Sequence, residues 1–218
     1  RLVLFASVAR TQQLPYQQKK LVLLYSAMRH YAKWLEQEGY RVDYVQASSF
    51  QEGLRQHVAA WQPDHLLAMA ASEYDSRRQQ ENLEGQVGVP VTLVPNTQFL
   101  VGDFDPYPDI DRDKRIVMEY FYRAMRRHFH VLVDGEGQPA GGQWNYDREN
   151  RRPLPNGAEP PVVASFEPDD MTRSVMVEIE AAAHGVGTVS GFDLAVTRQQ
   201  ALFALDDFVA NRLPEFGP

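Results

Sequence analysis

Apolar runs of strand length alternate with stretches of helical period through the first hundred residues, and this alternation constrains the fold more than any other feature. Leu2 to Val8 is an apolar run of strand length. From Gln17 to Gln37, Leu21, Leu24, Tyr25, Met28, Tyr31 and Leu35 recur at helical spacing, and Gly39 supplies the stop. Val42 to Val45 makes a short strand. Ser48 opens a second helix with Gln51 completing a capping box, and Leu54, Val58 and Trp61 form its stripe. His65 to Ala71 is apolar on both faces, as a buried parallel strand is. A polar helix over Glu73 to Gln86 and a β-branched run at Val89 to Val94 complete the series. Strands and helices alternating at this pitch predict βαβ units, hence an α/β fold with a parallel sheet wound on both faces by helices.

After Asn96 the rhythm changes. Asp103 to Asp113 is acidic and contains proline, which predicts a surface loop. Lys114 to Phe129 reads as a helix. Met118, Phe121, Tyr122, Met125 and Phe129 lie on one stripe, with Arg115, Arg123, Arg126 and Arg127 mostly off it. Val131 to Val133 is a short apolar run before a Gly-rich turn. Pro153, Pro155, Pro160 and Pro161 then predict extended chain. Pro168 begins a helix reaching to about Ala183. A last helix has Thr197 as N-cap, Gln200 at the third position, and Leu202, Leu205, Phe208 and Val209 on one face.

Composition excludes several classes. With 44% hydrophobic and 23% charged residues, the chain has the makings of a packed core. Its longest apolar runs, Leu21 to Tyr25 and Leu66 to Ala71, are too short to cross a bilayer. The run after Arg1 is short and no small-residue cleavage site follows, so no secretory leader is expected and the cytoplasm is the expected compartment. Without cysteine there is no disulfide, no thiolate nucleophile and no Cys-ligated metal or cluster within these residues. Residues 112 to 152 carry nine Lys and Arg against six acids, in a chain whose net charge is −7. That basic middle is either an anion-facing surface or a solvated helix face beside a loop.

The usual catalytic patterns are not met. Asp109, Asp111 and Asp113 alternate as a calcium loop begins, but Lys114 stands where Gly is needed and Tyr120 where a bidentate Glu is needed. His128 and His130, two residues apart, do not share a helix face. Gly185, Gly187 and Gly191 miss the dinucleotide spacing and read as a flexible connection. Neither a phosphate-cradling loop nor a G-x-S-x-G elbow occurs, and Glu178 and Glu180 sit on an ordinary helix.

One stretch, GGQWNYDRENRRPLP at residues 141–155, fits neither structural period. Trp144 and Tyr146 have faces on which bases stack. Arg148, Arg151 and Arg152 suit phosphates, and Asn145 and Asn150 suit either. The same residues equally suit an ordered loop whose groups bond the chain's own backbone.

The run MEYFYRAMRRHFHVLVDGEGQPAGGQWNYDRENRRPLP, Met118 to Pro155, resembles the photolyase-related proteins, the bacterial cryptochromes and photolyases that carry an iron–sulfur cluster. Their pattern there is Met-Glu-x-Phe-Tyr-Arg-x-Met-Arg-Arg, then Gly-Gly-x-Trp-Asn-Phe/Tyr-Asp-x-Glu-Asn-Arg. Lys19 to Val42 is similar to the family's first long helix, and Gly191 to Gly217 to the helix leading into its catalytic domain. The resemblance implies a doubly wound, Rossmann-like antenna domain over 1–108. A helical and loop interdomain segment over 109–218 would lead toward a C-terminal domain holding FAD and a [4Fe–4S] cluster. It implies a ribityllumazine antenna, damaged DNA and the FAD domain as partners, and light-driven repair or photoreception.

The same resemblance marks departures. Family members open with a strand ending Gly-Asp-Gln-Leu, so Leu2 to Val8 corresponds to their second strand, and an incomplete sheet would invite oligomerisation. Near the antenna pocket the family has an acidic residue and a Tyr where Arg10 and Gln13 stand, while Glu73 matches a family Glu. The segment with Trp144, Asn145, Tyr146, Arg148, Asn150, Arg151 and Arg152 is expected to contact DNA or the partner domain. By itself this chain is expected to be non-catalytic. The competing reading is a stand-alone nucleotide-type small-molecule binding module without photochemistry.

Overall fold

The computed structural model describes residues 1–109, 111, 113, 115–148, 157, 159, 161–182 and 184–215. In chain order these form β1 (Leu2–Ser7), α1 (Val8–Gln12), α2 (Gln18–Gln37), β2 (Val42–Ala47), α3 (Phe50–Trp61), β3 (Leu66–Met69), α4 (Tyr74–Glu81), α5 (Leu83–Val87), β4 (Val91–Val94), α6 (Met118–His128), α7 (Asp170–Ala181) and α8 (Arg198–Asn211), with 3₁₀ turns at Leu100–Gly102 and Leu213–Glu215. The chain is therefore a mixed α/β protein. Its contacts divide it into two units: Arg1–Pro63 together with Asn156–Phe216, and a second consisting mainly of Asp64–Pro155.

In the first unit β1 and β2 pair in parallel, with Leu2 opposite Val42 and Ser7 opposite Ala47. Parallel neighbours need a crossover, and α2 provides it. Gln17 caps α2 through its side-chain oxygen, which accepts from the Lys20 N–H, and Gly39 follows the helix in the left-handed region. The helix buries Leu21, Val22, Ala32 and Leu35. Its partner is not only the sheet. Val175 and Ile179 of α7, with Val189, Phe192 and Val196 beyond it, join Leu21 and Val22 in one apolar core. On β1, Phe5 meets Phe50 of α3 edge to face, with ring centroids 4.9 Å apart.

Several boundaries differ from the sequence expectations, for local reasons. The cap of α3 is Ser49, whose Oγ accepts from the Glu52 N–H, rather than Ser48, whose carbonyl accepts from the Ala9 N–H. The polar helix over 73–86 is two helices. Asn82 turns its amide onto the Arg78 carbonyl between them, competing with the helical ladder. Helix α6 begins at Met118 rather than at Lys114, which lies outside the described residues. The Asp113 N–H before it is engaged by the Asp111 carboxylate. Helix α7 starts at Asp170 behind its Asp169 cap, two residues after Pro168, and the capping box of α8, Thr197 with Gln200, is as the sequence predicts, but Leu202, Leu205 and Val209 of α8 are exposed.

The glycine connection 185–191 is a docking strap. Val186 makes a parallel bridge to Gln17, the Val186 N–H donates to the Tyr16 carbonyl, and Lys19 Nζ donates to the Gly191 carbonyl at 2.6 Å. Gly185 has φ +96°, and a Cβ there would stand 2.2 Å from the Tyr16 carbonyl oxygen. Periodicity cannot report a close approach of this kind.

In the second unit β3 and β4 pair in parallel, Leu66 opposite Val91 and Met69 opposite Val94, joined through α4 and α5. Strand β3 is covered on one face only: Leu67 and Met69 are exposed, against the expectation that both faces are buried. The run Val131 to Val133 is not a strand, because His130 and Leu132 take positive φ of 54° and 51°. Among the described residues no helix is long and apolar enough to cross a membrane.

Candidate functional site

Helix α6 and the loop after it build the most elaborate polar arrangement of the second unit. Arg126 is at its centre. The stripe placed this side chain off the apolar face, yet it is 6% exposed. Its Nε donates to the Val131 carbonyl at 3.0 Å, one terminal nitrogen donates to the Trp144 carbonyl at 3.3 Å, and the other to the Leu132 carbonyl. A guanidinium offers five donors in a rigid fork, so one residue satisfies carbonyls from two separate loop segments. The left-handed conformations at His130 and Leu132 lie within the stretch it holds.

Next along the chain, Asp134 accepts from the Glu136 and Gln138 N–H groups, closing the Gly-rich turn. The Ala140 N–H returns to the Leu132 carbonyl at 2.9 Å. Gly141 has φ +79°, and a Cβ there would lie 2.5 Å from the Tyr146 hydroxyl, which donates to the Gly141 carbonyl at 3.1 Å. Asn145 donates to Glu119 at 3.0 Å, and Arg123 pairs with the same carboxylate at 2.8 Å. The Arg123 hydrogen bond, then that of Asn145, holds the Glu119 carboxyl below the usual glutamate range.

Three guanidiniums surround the Trp144 ring, with Arg123, Arg126 and Arg127 at 5.4, 5.1 and 4.6 Å from its centroid. Contacts of this kind exploit the negative faces of the indole ring. Trp144, Asn145 and Tyr146 thus fold back on α6 and on their own loop, while Arg148 is exposed. Asn150, Arg151 and Arg152, with Pro153, Pro155 and Pro160, lie outside the described residues. The loop and α6 line a cavity of about 390 Å³ that opens to solvent, with Tyr122, Gln143, Trp144, Tyr146 and Asp147 among its walls. The sequence did not single out Arg126 and Glu119. The signal that could have found them is a non-periodic loop, rich in unpaired carbonyls, directly after an Arg-rich helix end.

A smaller cavity of about 190 Å³ lies in the first unit beyond the carboxyl ends of β1 and β2. Its walls include Thr11, Tyr25, Gln46, Ile179, and the ion pair of Arg29 with Glu178. The Tyr25 hydroxyl lies 3.3 Å from the Thr11 hydroxyl.

The pattern of deoxyribodipyrimidine photo-lyase-related proteins matches residues 1–194. The chain belongs to this family. It is 33% identical over 225 aligned positions to a (6-4) photolyase of Agrobacterium fabrum, an alignment covering 99% of this chain and 44% of that protein. It is also 27% identical over 148 positions to an uncharacterized protein of Acanthamoeba polyphaga mimivirus, covering 63% of this chain and 72% of the viral one. The chain thus spans less than half the length of the photolyase it matches.

Of the residues that the family resemblance sets near an antenna pocket, Arg10 donates from Nη1 to the Gln13 side chain at 3.0 Å, within and just after α1. Both belong to the first unit. Glu73 belongs to the second, where it stands immediately before α4 and accepts from the Ser76 hydroxyl at 3.2 Å. A guanidinium donates only, so Arg10 cannot accept the ring N–H that a carboxylate would. In this respect these residues do not fit a ribityllumazine.

Proposed function

We propose that this chain is the antenna-and-interdomain portion of a photolyase- or cryptochrome-type flavoprotein acting in light-dependent DNA repair or photoreception in the cytoplasm. The observation that carries the reading is the 33% identity, along almost all of this chain, to a protein named a (6-4) photolyase. On this reading the chain alone is non-catalytic and positions DNA and the FAD domain. FAD and a [4Fe–4S] cluster belong to that other domain, since no cysteine stands in these 218 residues to ligate a cluster. We extend the fold reading to a doubly wound, Rossmann-like sheet. Its support is that each strand pair is parallel and joined through helices. The edge of β1 away from β2 would accept a strand from another copy, and oligomerisation is proposed on that ground.

The α6 loop is the proposed contact surface for damaged DNA and the partner domain. A labelled single-stranded oligonucleotide, titrated into the protein at several salt concentrations, tests it. Arg151→Ala with Arg152→Ala is expected to weaken binding and to flatten the salt slope by about 1.4, the value for two lost phosphate contacts on a single strand. Absence of binding even at low salt removes the DNA role from this chain. For the antenna, a violet absorption band retained after adding ribityllumazine would restore that role despite Arg10.

The cavity beyond β1 and β2 favours a second reading, a small-molecule binding module. Open parallel sheets bind ligands at the carboxyl ends of their strands. Calorimetric titration with free nucleotides tests it, and no heat from any of them removes it.

A further inference from the structure

The cavity between α6 and the 141–147 loop has chemistry that backbone positioning does not use. We infer that it is a preformed receptacle for a single unstacked nucleobase, supplied by a single-stranded nucleic acid. The inference rests on the nucleic-acid reading of this surface and narrows it from phosphate contact to base capture.

Size comes first. About 390 Å³ falls within the range of roughly 300–1,000 Å³ in which small-molecule sites lie. A base with its sugar fits such a space, and a duplex does not. The walls come second. Tyr122 and Tyr146 line the cavity and are each 44% exposed, so aromatic surface is offered at its mouth. The amides of Gln143 and Asn145 combine donors with acceptors, and the Asp147 carboxylate accepts, which suits a base edge.

Charge is third. Arg126 lines the cavity, but its three bonds to loop carbonyls commit it to structure. Arg123 is committed to Glu119. With Glu119 already paired, the Asp147 carboxylate is left in the walls, so the interior favours a neutral ring with hydrogen-bonding edges over a phosphate. Rigidity is fourth. The loop is fixed by Arg126, by the Tyr146 bond to Gly141 and by the Asn145 bond to Glu119, so little ordering is left for binding.

The test uses the 218-residue chain labelled with fluorotryptophan, whose three resonances from Trp34, Trp61 and Trp144 are assigned with Trp34→Phe and Trp61→Phe. No substitution is then needed in the sample that is titrated. Three probes are added in turn: a short oligothymidylate, an abasic strand of the same length, and free thymidine. Strand binding is followed separately by anisotropy.

Saturable movement of the Trp144 resonance with oligothymidylate, absent with the abasic strand, is the expected result. Tyr146→Ala is expected to weaken that response about ten- to hundredfold, the loss of one base–aromatic stack, while Tyr146→Phe, which keeps the ring and gives up only the bond to Gly141, retains most of it. Movement with free thymidine but not with the strand assigns the same ring chemistry to a free nucleoside and overturns the strand as its source. A Trp144 resonance that no probe moves, or that both strands move alike, overturns the receptacle. If anisotropy still reports strand binding in that case, the broader DNA-contact reading stands without it. If anisotropy reports none, the DNA-contact reading falls as well.

Discussion

Arg29 of α2 grips Glu178 of α7 with both ends of its guanidinium, at 2.8 and 2.5 Å, joining residues 149 apart in sequence. The Glu178 carboxyl is held below the usual glutamate range, first by the Arg29 hydrogen bond. The Arg29 guanidinium is raised further above neutrality, chiefly by the same bond. Beside it, burial pushes the Tyr44 hydroxyl up, with Arg29 opposing. A second link, His30 to Asp169 at 3.2 Å, joins the same two helices. Burial raises the Asp169 carboxyl, but the hydrogen bond from the Thr172 N–H and the nearby His30 bring it below its ordinary value.

A pH dependence follows with a definite sign. Glu178 titrates lower in the folded chain than in the unfolded one. Its contribution is complete above the unfolded value and is lost as pH falls through the folded one. Thermal melts of the native protein and of Glu178→Gln should therefore differ most near neutrality and converge in acid. With Glu178 half exposed, the gap at neutrality is expected to be about 1 kcal/mol or less.

The α2–α7 core predicts where the chain can be cut. A fragment ending at residue 108 lacks Val175, Ile179, Val189, Phe192 and Val196, the apolar partners of Leu21 and Val22. Circular dichroism melts of that fragment should show no cooperative transition. In the full chain, Val175→Ala removes two fully buried methyl groups and should cost about 2–3 kcal/mol.

Gly185→Ala tests the docking strap. The added carbon meets the Tyr16 carbonyl oxygen in a backbone conformation that L-residues rarely adopt. Loss of more than about 2 kcal/mol in urea unfolding is expected, from strain and from the displaced bridge to Gln17.

Arg126 is expected to be the least replaceable residue of the α6 loop. Arg126→Ala leaves three loop carbonyls without their donor and should cost about 2–4 kcal/mol. Lys substitution should recover little, because an ammonium lacks the planar fork. Near-ultraviolet circular dichroism, sensitive to the packing of Trp144, reads both variants.

Much of the fold is legible along the chain because it is local. The helix over 18–37, its stop at Gly39, and the Thr197–Gln200 capping box need only neighbouring residues to specify them. The parallel strand pairs follow from β-branched and apolar runs separated by helical periods. The motif at 118–155 also identifies the family by residue order alone.

What tertiary structure alone decided is which distant groups meet. No periodicity tells that Val175 and Val22 share one core, that Gly185 must clear the Tyr16 carbonyl, or that Arg126 turns inward. The stripe of α6 placed Arg126 toward solvent, as a charged side chain off an apolar face should be. The loop reversed that, because carbonyls freed from regular structure still need donors and a buried guanidinium supplies several at once. Trp144, Asn145 and Tyr146 are conspicuous in sequence for their chemistry, but their direction, back onto α6, is a property of the folded chain.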